Sequence, residues 1–262
     1  MTLLLLCALI ALGLVAGGFG ALAGVGGGFL IVPTLILFFH LPVHEAIGIS
    51  LVAVIATSTA TSAVQVERGV TDVRLGFVLE LTTTTGAIIA SLLAAYLSKR
   101  MLAGLFVAFL AFTLISMLKK AWTSRAEKEP SQEVPEYRIK NYPAGMGAAL
   151  LAGGLSGLLG IGGGLIKVPV MMLFMGIPTR VATATSNFMI GVTAATSAWI
   201  WYSRGFVNLG IAGPLVAGVM VGSHFGAQNA RRVKSRYIVL LLIVAAGYLM
   251  VQMLVKLKSG QI

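Results

Sequence analysis

Long apolar stretches with very few charged residues follow one another along almost the whole chain. A helix of about 20 apolar residues crosses the hydrocarbon core of a bilayer, and most of these stretches reach that length. They do not alternate between apolar and polar positions, as the strands of a transmembrane barrel do. The pattern predicts an all-α integral membrane protein with apolar stretches at Leu3–Val32, Ala46–Val66, Leu75–Leu97, Met101–Leu118, Ala144–Ile166, Val181–Tyr202, Val207–Ala230 and Tyr237–Val255.

The composition supports a membrane location and argues against a soluble enzyme or nucleic-acid-binding protein. Hydrophobic residues make up 58% of the chain and charged residues only 10%, whereas soluble domains have about 25% charged residues. The net charge of +11 comes from lysines and arginines between the apolar stretches. Basic loops set the orientation of membrane proteins. We therefore expect the lipid bilayer, and no nucleic acid, as a partner.

The two halves of the sequence repeat one another at an offset of about 136 residues. GVGGGFLIVP at Gly24–Pro33 aligns with GIGGGLIKVP at Gly160–Pro169. One register is kept over further glycine, serine and arginine positions, which indicates an internal duplication. The further pairs are Ser50 with Ser186, Thr57 with Thr193, Arg68–Gly69 with Arg204–Gly205, Gly86 with Gly222, and Arg100 with Arg236.

Each half is predicted to contain five helical elements, of which the second is a short helix that follows a glycine triplet. At 1.5 Å per residue, about a dozen residues cannot cross a core of about 30 Å, so this element is a broken or re-entrant helix. The predicted domains are a first repeat at 1–118, a polar linker at 119–141 and a second repeat at 142–262. The predicted elements are 2–23, 28–40, 44–66, 74–98 and 101–119, then 142–159, 164–176, 180–203, 207–230 and 236–257.

An odd number of elements in each half predicts that the two repeats have opposite orientations in the membrane. In this inverted arrangement most of the loop lysines and arginines fall on the side of the linker. The positive-inside rule then places the linker in the cytoplasm. Inverted repeats around a site near the midplane are a common plan of secondary transporters.

Two glycine triplets are the most informative local motif, and they predict a substrate site. Consecutive glycines let the backbone leave helical geometry. The half-helix that follows begins with unpaired N–H donors and a partial positive charge, which bind anions. The alternative is close packing of helices, which small residues also permit. The predicted site contains Gly26, Gly27, Gly28, Gly162, Gly163 and Gly164.

The double glycine motif resembles that of the sulfite exporter TauE/SafE family, also called the toluene sulfonate uptake permeases (TSUP). The shared pattern, G-x-GGG-x-L/I-x-V-P, covers Gly24–Pro33 and Gly160–Pro169. The resemblance implies a permease or exporter of sulfur-containing anions such as sulfite, thiosulfate, sulfoacetate or other organosulfonates. The second copy departs from the first at Lys167, which aligns with Ile31.

Four polar residues inside apolar elements are further candidates for substrate binding. Lys167 lies one turn into the second short helix, where it either neutralises an anion or extends to the nearer interface. Ser50, Ser186 and Asn187 lie at equivalent places on the third element of each half. Their hydroxyl and amide groups either bind sulfonate oxygens or join helices.

Glu80 is a candidate for ion coupling, because a carboxyl group within a membrane span can carry a proton. The alternative location is the headgroup level. The histidines lack the spacing of metal ligands, so no metal site is predicted. No phosphate-binding loop or catalytic arrangement is apparent, so we expect neither an enzyme nor a cofactor.

These observations predict a secondary transporter of sulfur-containing anions that works by alternating access in a bacterial-type inner (plasma) membrane. One alternative is an anion channel with the same glycine-lined site. Another is a membrane scaffold subunit that transports nothing. The sequence leaves the particular anion, the direction of transport and the oligomeric state open.

Overall fold

The computed structural model describes residues 3–94, 96–123, 137–230 and 235–259. Within these ranges the chain forms ten helices connected by short turns and loops. They are α1 (Leu3–Ala23), α2 (Gly28–Phe38), α3 (Val43–Glu67), α4 (Val73–Ala94), α5 (Lys99–Thr123), α6 (Tyr142–Leu159), α7 (Gly164–Leu173), α8 (Thr179–Ser203), α9 (Leu209–Asn229) and α10 (Ser235–Lys258).

The predicted all-helical membrane fold is confirmed, including the two short helices. Six of the described helices, α1, α3, α4, α5, α6 and α9, are long and apolar enough to cross a membrane. The short helices α2 and α7 have 11 and 10 residues and follow the two glycine triplets. Helix α5 extends to Thr123, beyond the predicted start of the linker. Most of that linker, 124–136, lies outside the described residues.

Equivalent polar residues fix the ends of equivalent helices in the two halves. Asp72 Oδ1 accepts a hydrogen bond of 2.9 Å from Leu75 N at the start of α4, and Asn208 caps α9 in the same way through Gly210 N. These side chains satisfy backbone N–H groups that a helix leaves unpaired at its beginning. The caps occupy matching positions of the repeat, so the duplication extends to the helix ends.

The helices of the two halves are interleaved, since α1 packs against α9 and α6 packs against α4. A small residue makes each of these approaches possible. Gly222 lies against the carbonyl of Leu14, and at the equivalent positions Gly86 lies against the carbonyl of Leu150. A Cβ atom at either glycine would overlap the neighbouring backbone. Glycine at these positions is therefore required by helix packing, as in other membrane bundles.

Two apolar clusters make up the core of the described structure. The larger contains α2, the first half of α3 and residues of α1, α5, α8, α9 and α10. The smaller, which we call the methionine cluster, is formed by Leu75, Leu79, Ala149, Met171, Met175, Ile177, Val181, Ala182 and Met189. It lies around α7 and includes residues of α4, α6 and α8, so it surrounds the half-helix that carries Lys167.

Candidate functional site

Both glycine motifs adopt the same unusual backbone geometry. In each, the glycine before the triplet and its first two glycines have positive φ angles between 70° and 87°. Side chains strongly disfavour this left-handed region. The third glycine of each triplet, Gly28 or Gly164, begins the short helix in ordinary geometry and contacts the glycine loop of the other half. Each glycine of the motif is thus required either by its left-handed backbone conformation or by the close approach of another backbone segment.

Two serines connect each half to the glycine loop of the other half. Ser50 Oγ donates a 2.8 Å hydrogen bond to the carbonyl of Gly160, and Ser186 Oγ donates a 3.2 Å hydrogen bond to the carbonyl of Gly24. Both serines are fully buried. Because the donors and acceptors are equivalent in the repeat, the two bonds form a symmetric pair. Ser50 and Ser186 therefore hold the two predicted binding motifs together at the centre of the protein.

One buried aliphatic residue from each half completes this central junction. A Cβ atom at Gly26 or at Gly162 would lie within 3.2 Å of side-chain atoms of both Val54 and Ile190. Val54 and Ile190 are themselves equivalent residues of the duplication. The glycine loops, the serines and these aliphatic side chains thus form one compact interface between the halves.

A buried polar cluster lies on one side of this junction. Lys167 Nζ is 3.4 Å from Glu80 Oε2 and donates a 3.0 Å hydrogen bond to Thr193 Oγ1. Thr193 Oγ1 also donates to Glu80 Oε1, which accepts a second bond of 3.1 Å from Thr84 Oγ1. Lys167 is 3% exposed and Glu80 is 5% exposed. Both side chains are therefore buried within the protein and paired with each other.

The place that the duplication relates to this cluster is apolar. Lys167 aligns with Ile31, Glu80 with Val216 and Thr193 with Thr57. Ile31 belongs to the larger apolar cluster and Val216 packs against it. The Thr57 hydroxyl donates to the carbonyl of Ala53 in its own helix. The duplication has therefore produced two related positions. One contains an ion pair, and the other contains apolar side chains.

One face of α8 connects the central junction to the ion pair. Ser186, Ile190 and Thr193 are spaced by four and three residues, so they share a face of the helix. Ser186 contacts the first glycine loop, Ile190 contacts both loops, and Thr193 contacts Lys167 and Glu80. The polar cluster is therefore about two helical turns from the glycine junction along α8.

A small cavity of about 10 Å³ adjoins Lys167. A space of this size holds about one water molecule and excludes any sulfur oxyanion. The methionine cluster supplies much of its wall, and the lining residues are Leu79, Gly145, Ala149, Lys167, Val170, Met171 and Met189. The space beside Lys167 is thus too small for a sulfur anion.

The described end of the linker contacts the methionine cluster. Tyr137 and Ile139 pack against it, and the Tyr137 hydroxyl donates a 2.8 Å hydrogen bond to Asp72 Oδ2. Partial burial and the neighbouring Asp72 carboxylate raise the pKa of Tyr137. Asp72 also caps α4, the helix that carries Glu80. The linker is thereby attached to the methionine cluster and, through Asp72, to the beginning of α4.

Asn187, also predicted to bind substrate, makes contacts between helices. Its Nδ2 donates to Gln65 Oε1 at 3.2 Å and to the carbonyl of Ala21 at 3.5 Å. Its Oδ1 is buried and has no partner. Asn187 thus lies at the end of α1, near the first glycine loop, and joins α8 to α1 and α3.

Three polar residues of this region were not among the predicted site residues. Thr193 and Thr84 donate hydrogen bonds to the Glu80 carboxylate. The Ser156 side chain lies beside Gly163, and its buried hydroxyl has no hydrogen-bond partner. A signal for the ion pair was present in the alignment of the halves. Lys167 and Glu80 are opposite charges at positions where the other half has Ile31 and Val216.

Comparison with known proteins identifies the family. The model of the sulfite exporter TauE/SafE family matches residues 9–253. A probable membrane transporter protein of Bacillus subtilis, YunE, is 32% identical over 254 residues, and the alignment covers 89% of this chain and 92% of YunE. A probable membrane transporter protein of Methanocaldococcus jannaschii is 26% identical, and the alignment covers 94% of each chain.

A plant relative matches over a shorter segment. The sulfite exporter TauE/SafE family protein 1 of Arabidopsis thaliana is 36% identical over 89 residues, which are 34% of this chain and 20% of that protein. No solved structure matches the chain. The family match spans nearly the whole sequence, and the fold is a multi-pass helical membrane bundle with two glycine-broken helices. The chain therefore belongs to the sulfite exporter TauE/SafE family of membrane transporters.

Proposed function

We propose that the protein is a secondary transporter of sulfur-containing anions such as sulfite, sulfoacetate and other organosulfonates. Membership of the TauE/SafE family supports transport of this kind. The observation that carries the proposal is the buried ammonium group of Lys167, which lies in the first turn of α7 beside a cavity. Ionisable groups inside membrane proteins are costly and usually mark substrate or ion pathways.

The proposed site extends from the glycine junction to Lys167. The half-helices contribute the partial positive charge at their beginnings, and neither has a side-chain cap. The hydroxyl groups of Ser50, Ser186 and Ser156 are the nearby donors. Those of Ser50 and Ser186 are bonded to carbonyls in this structure, whereas that of Ser156 is unpartnered. Oxygen atoms of a sulfonate accept hydrogen bonds from such donors.

Alternating access agrees better with this geometry than an anion channel does. The cavity beside Lys167 has room for about one water molecule, so substrate entry requires the helices to move. The two halves meet at the glycine junction, where movement of one half against the other would open the site. We place the protein in a bacterial-type inner membrane, with the bilayer and a small sulfur anion as its partners.

Binding of anions to the purified full-length protein tests this proposal. Sulfite, thiosulfate, sulfoacetate, methanesulfonate and sulfate are titrated by calorimetry, with thermal unfolding as a second measurement. We expect stabilisation by at least one sulfur anion, and loss of that effect in Lys167→Met. Absence of binding by all five anions to the folded wild-type protein would overturn the proposal.

The duplication supplies a matched control for this experiment. Thr193→Val removes a hydroxyl from the polar cluster, whereas Thr57→Val removes the equivalent hydroxyl from the apolar position. We expect weaker anion binding in Thr193→Val and unchanged binding in Thr57→Val. Equal effects of both substitutions would contradict a binding site at the polar cluster of Lys167, Glu80 and Thr193.

A further inference from the structure

We infer that a singly charged sulfur anion replaces Glu80 as the partner of Lys167, and that Glu80 takes up one proton as it is displaced. This inference rests on the proposed function, since it assumes that Lys167 binds the transported anion. It specifies the coupling ion, the number of protons for each anion and the preferred substrate charge.

The first argument is that Glu80 already occupies the position a substrate anion needs. Its Oε2 atom lies 3.4 Å from Lys167 Nζ, and the adjoining cavity of about 10 Å³ has no room for another anion. An oxyanion that reaches the ammonium group must therefore separate the pair. Glu80 behaves as an internal competitor of the substrate.

The second argument is the cost of an unpaired charge in this environment. Glu80 is 5% exposed, and once Lys167 pairs with another anion it keeps only hydroxyl donors, from Thr84 and Thr193. A buried carboxylate without a cationic partner is strongly disfavoured, whereas the protonated carboxyl is not. Protonation lets Glu80 remain buried, with the hydroxyls able to rotate and accept its proton in a hydrogen bond.

The third argument is the net charge of the site before and after loading. The empty site contains one ammonium and one carboxylate, so its net charge is zero. A monoanion that enters with one proton leaves the charge at zero, because ammonium, anion and neutral carboxyl then coexist. A dianion would leave one uncompensated negative charge in the low-dielectric interior, which is costly. The site therefore favours organosulfonates and hydrogensulfite over sulfate.

Among the described residues, the helices packed around the pair contribute no further charge at this point. Helix α8 presents Thr193, and helix α6 lines the cavity with Gly145 and Ala149. On α4 the neighbour of Glu80 is the neutral Thr84, and Lys167 is the charged group contributed by α7. Between the residues that the structure describes, Lys167–Glu80 is the single salt bridge. No other described cation or carboxylate contacts the pair, so none can replace Lys167 or Glu80 in it.

Methanesulfonate is a suitable probe, because it carries one negative charge at every pH used and brings no proton of its own. Calorimetric titrations of the purified full-length protein are carried out in buffers with different ionisation enthalpies. The dependence of the observed heat on the buffer gives the number of protons taken up for each bound anion. We expect about one proton for the wild-type protein, and a Kd that rises about tenfold per pH unit in the alkaline range.

Glu80→Gln keeps a hydrogen-bonding side chain but removes both the competing charge and the proton acceptor. We expect it to bind methanesulfonate more tightly than the wild type, without proton uptake and with a flat pH profile. Sulfate is expected to bind more weakly than methanesulfonate in both proteins. The wild-type measurement is decisive even if this variant does not fold.

Each outcome distinguishes the two proposals. Wild-type binding of methanesulfonate without proton uptake overturns the exchange of Glu80 for substrate and leaves the proposed transporter of sulfur anions intact. Absence of binding by all five anions, in wild type and in folded Glu80→Gln, overturns both proposals together.

Discussion

Lys167 and Glu80 form a buried ion pair with an Nζ–Oε2 distance of 3.4 Å, while the residues equivalent to them by duplication, Ile31 and Val216, are apolar. Duplicated transporters often place one site at the interface between their halves. Here the glycine junction is nearly symmetric, but the charged groups occur on one side of it. On the proposed function, the asymmetry predicts that each chain binds a single anion.

Replacing the ion pair with the residues found in the other half tests its energetic role. Glu80→Val or Lys167→Ile alone leaves a buried charge without a partner, which typically costs about 3–5 kcal/mol. The double variant removes both charges, and its unfolding free energy is expected to differ little from that of the wild type. Unfolding of all four proteins in detergent measures the coupling between the two sites. Additive losses in the double variant would contradict the ion pair.

Removing the serine hydroxyls tests the link between the halves. Ser50→Ala and Ser186→Ala each delete a hydrogen bond to a glycine-loop carbonyl of the other half. We expect each to lower the unfolding free energy by about 0.5–2 kcal/mol, since hydrogen bonds between membrane helices are modest in strength. The two losses should be similar because the bonds are equivalent. A loss for one serine and none for the other would refute the symmetric junction.

Alanine at the second glycine of either triplet is expected to prevent stable folding. Gly27 and Gly163 have φ angles of 78° and 72°, and a Cβ atom would lie 2.5 Å and 2.8 Å from the carbonyl oxygens of Ala16 and Ala152. The left-handed conformation alone costs an ordinary residue about 1–2 kcal/mol. Recovery of monodisperse protein after detergent extraction measures the effect.

Gly205→Ala is the control that separates strain from overlap. Gly205 has a φ of 78°, but nothing lies within 4 Å of a Cβ atom built there. Only the conformational cost of about 1–2 kcal/mol applies, so this variant should be recovered in good yield. Equal recovery of all three variants would show that the contacts at the triplets are unimportant.

The linker contact should weaken at high pH. Because the pKa of Tyr137 is raised in the folded protein, its contribution to stability is present below the unfolded pKa, near 10. That contribution is lost as the pH rises toward the folded pKa. Tyr137→Phe cannot ionise and should lose stability less steeply above pH 10 than the wild type does. Parallel unfolding curves for both proteins between about pH 9 and pH 11 would contradict this role.

Much of the fold followed from the sequence, because the bilayer imposes simple rules on length and hydropathy. The ten elements were predicted with small errors at their ends, and α2 and α7 were recognised as too short to cross. Membership of the TauE/SafE family, which the glycine motifs suggested, is confirmed. The opposite orientation of the two repeats stays a prediction.

The site was less accessible from sequence, because it depends on contacts between helices that are distant in the chain. Glu80 and Lys167 come from α4 and α7, and periodicity within one helix gives no information about such a pair. The substrate-binding role of the glycine motifs stays a prediction. The structure shows left-handed geometry or close approach at every glycine of the motif.

Exchange of radiolabelled sulfite or methanesulfonate across proteoliposomes, by the wild type and by the Glu80→Val/Lys167→Ile variant, tests the central claim most directly. The variant should remain folded, as judged by thermal unfolding, because its new side chains copy those of the other half. We predict saturable exchange by the wild type, and exchange no faster than that of empty liposomes by the variant. Wild-type rates of exchange in the folded variant would contradict a transport site built on Lys167.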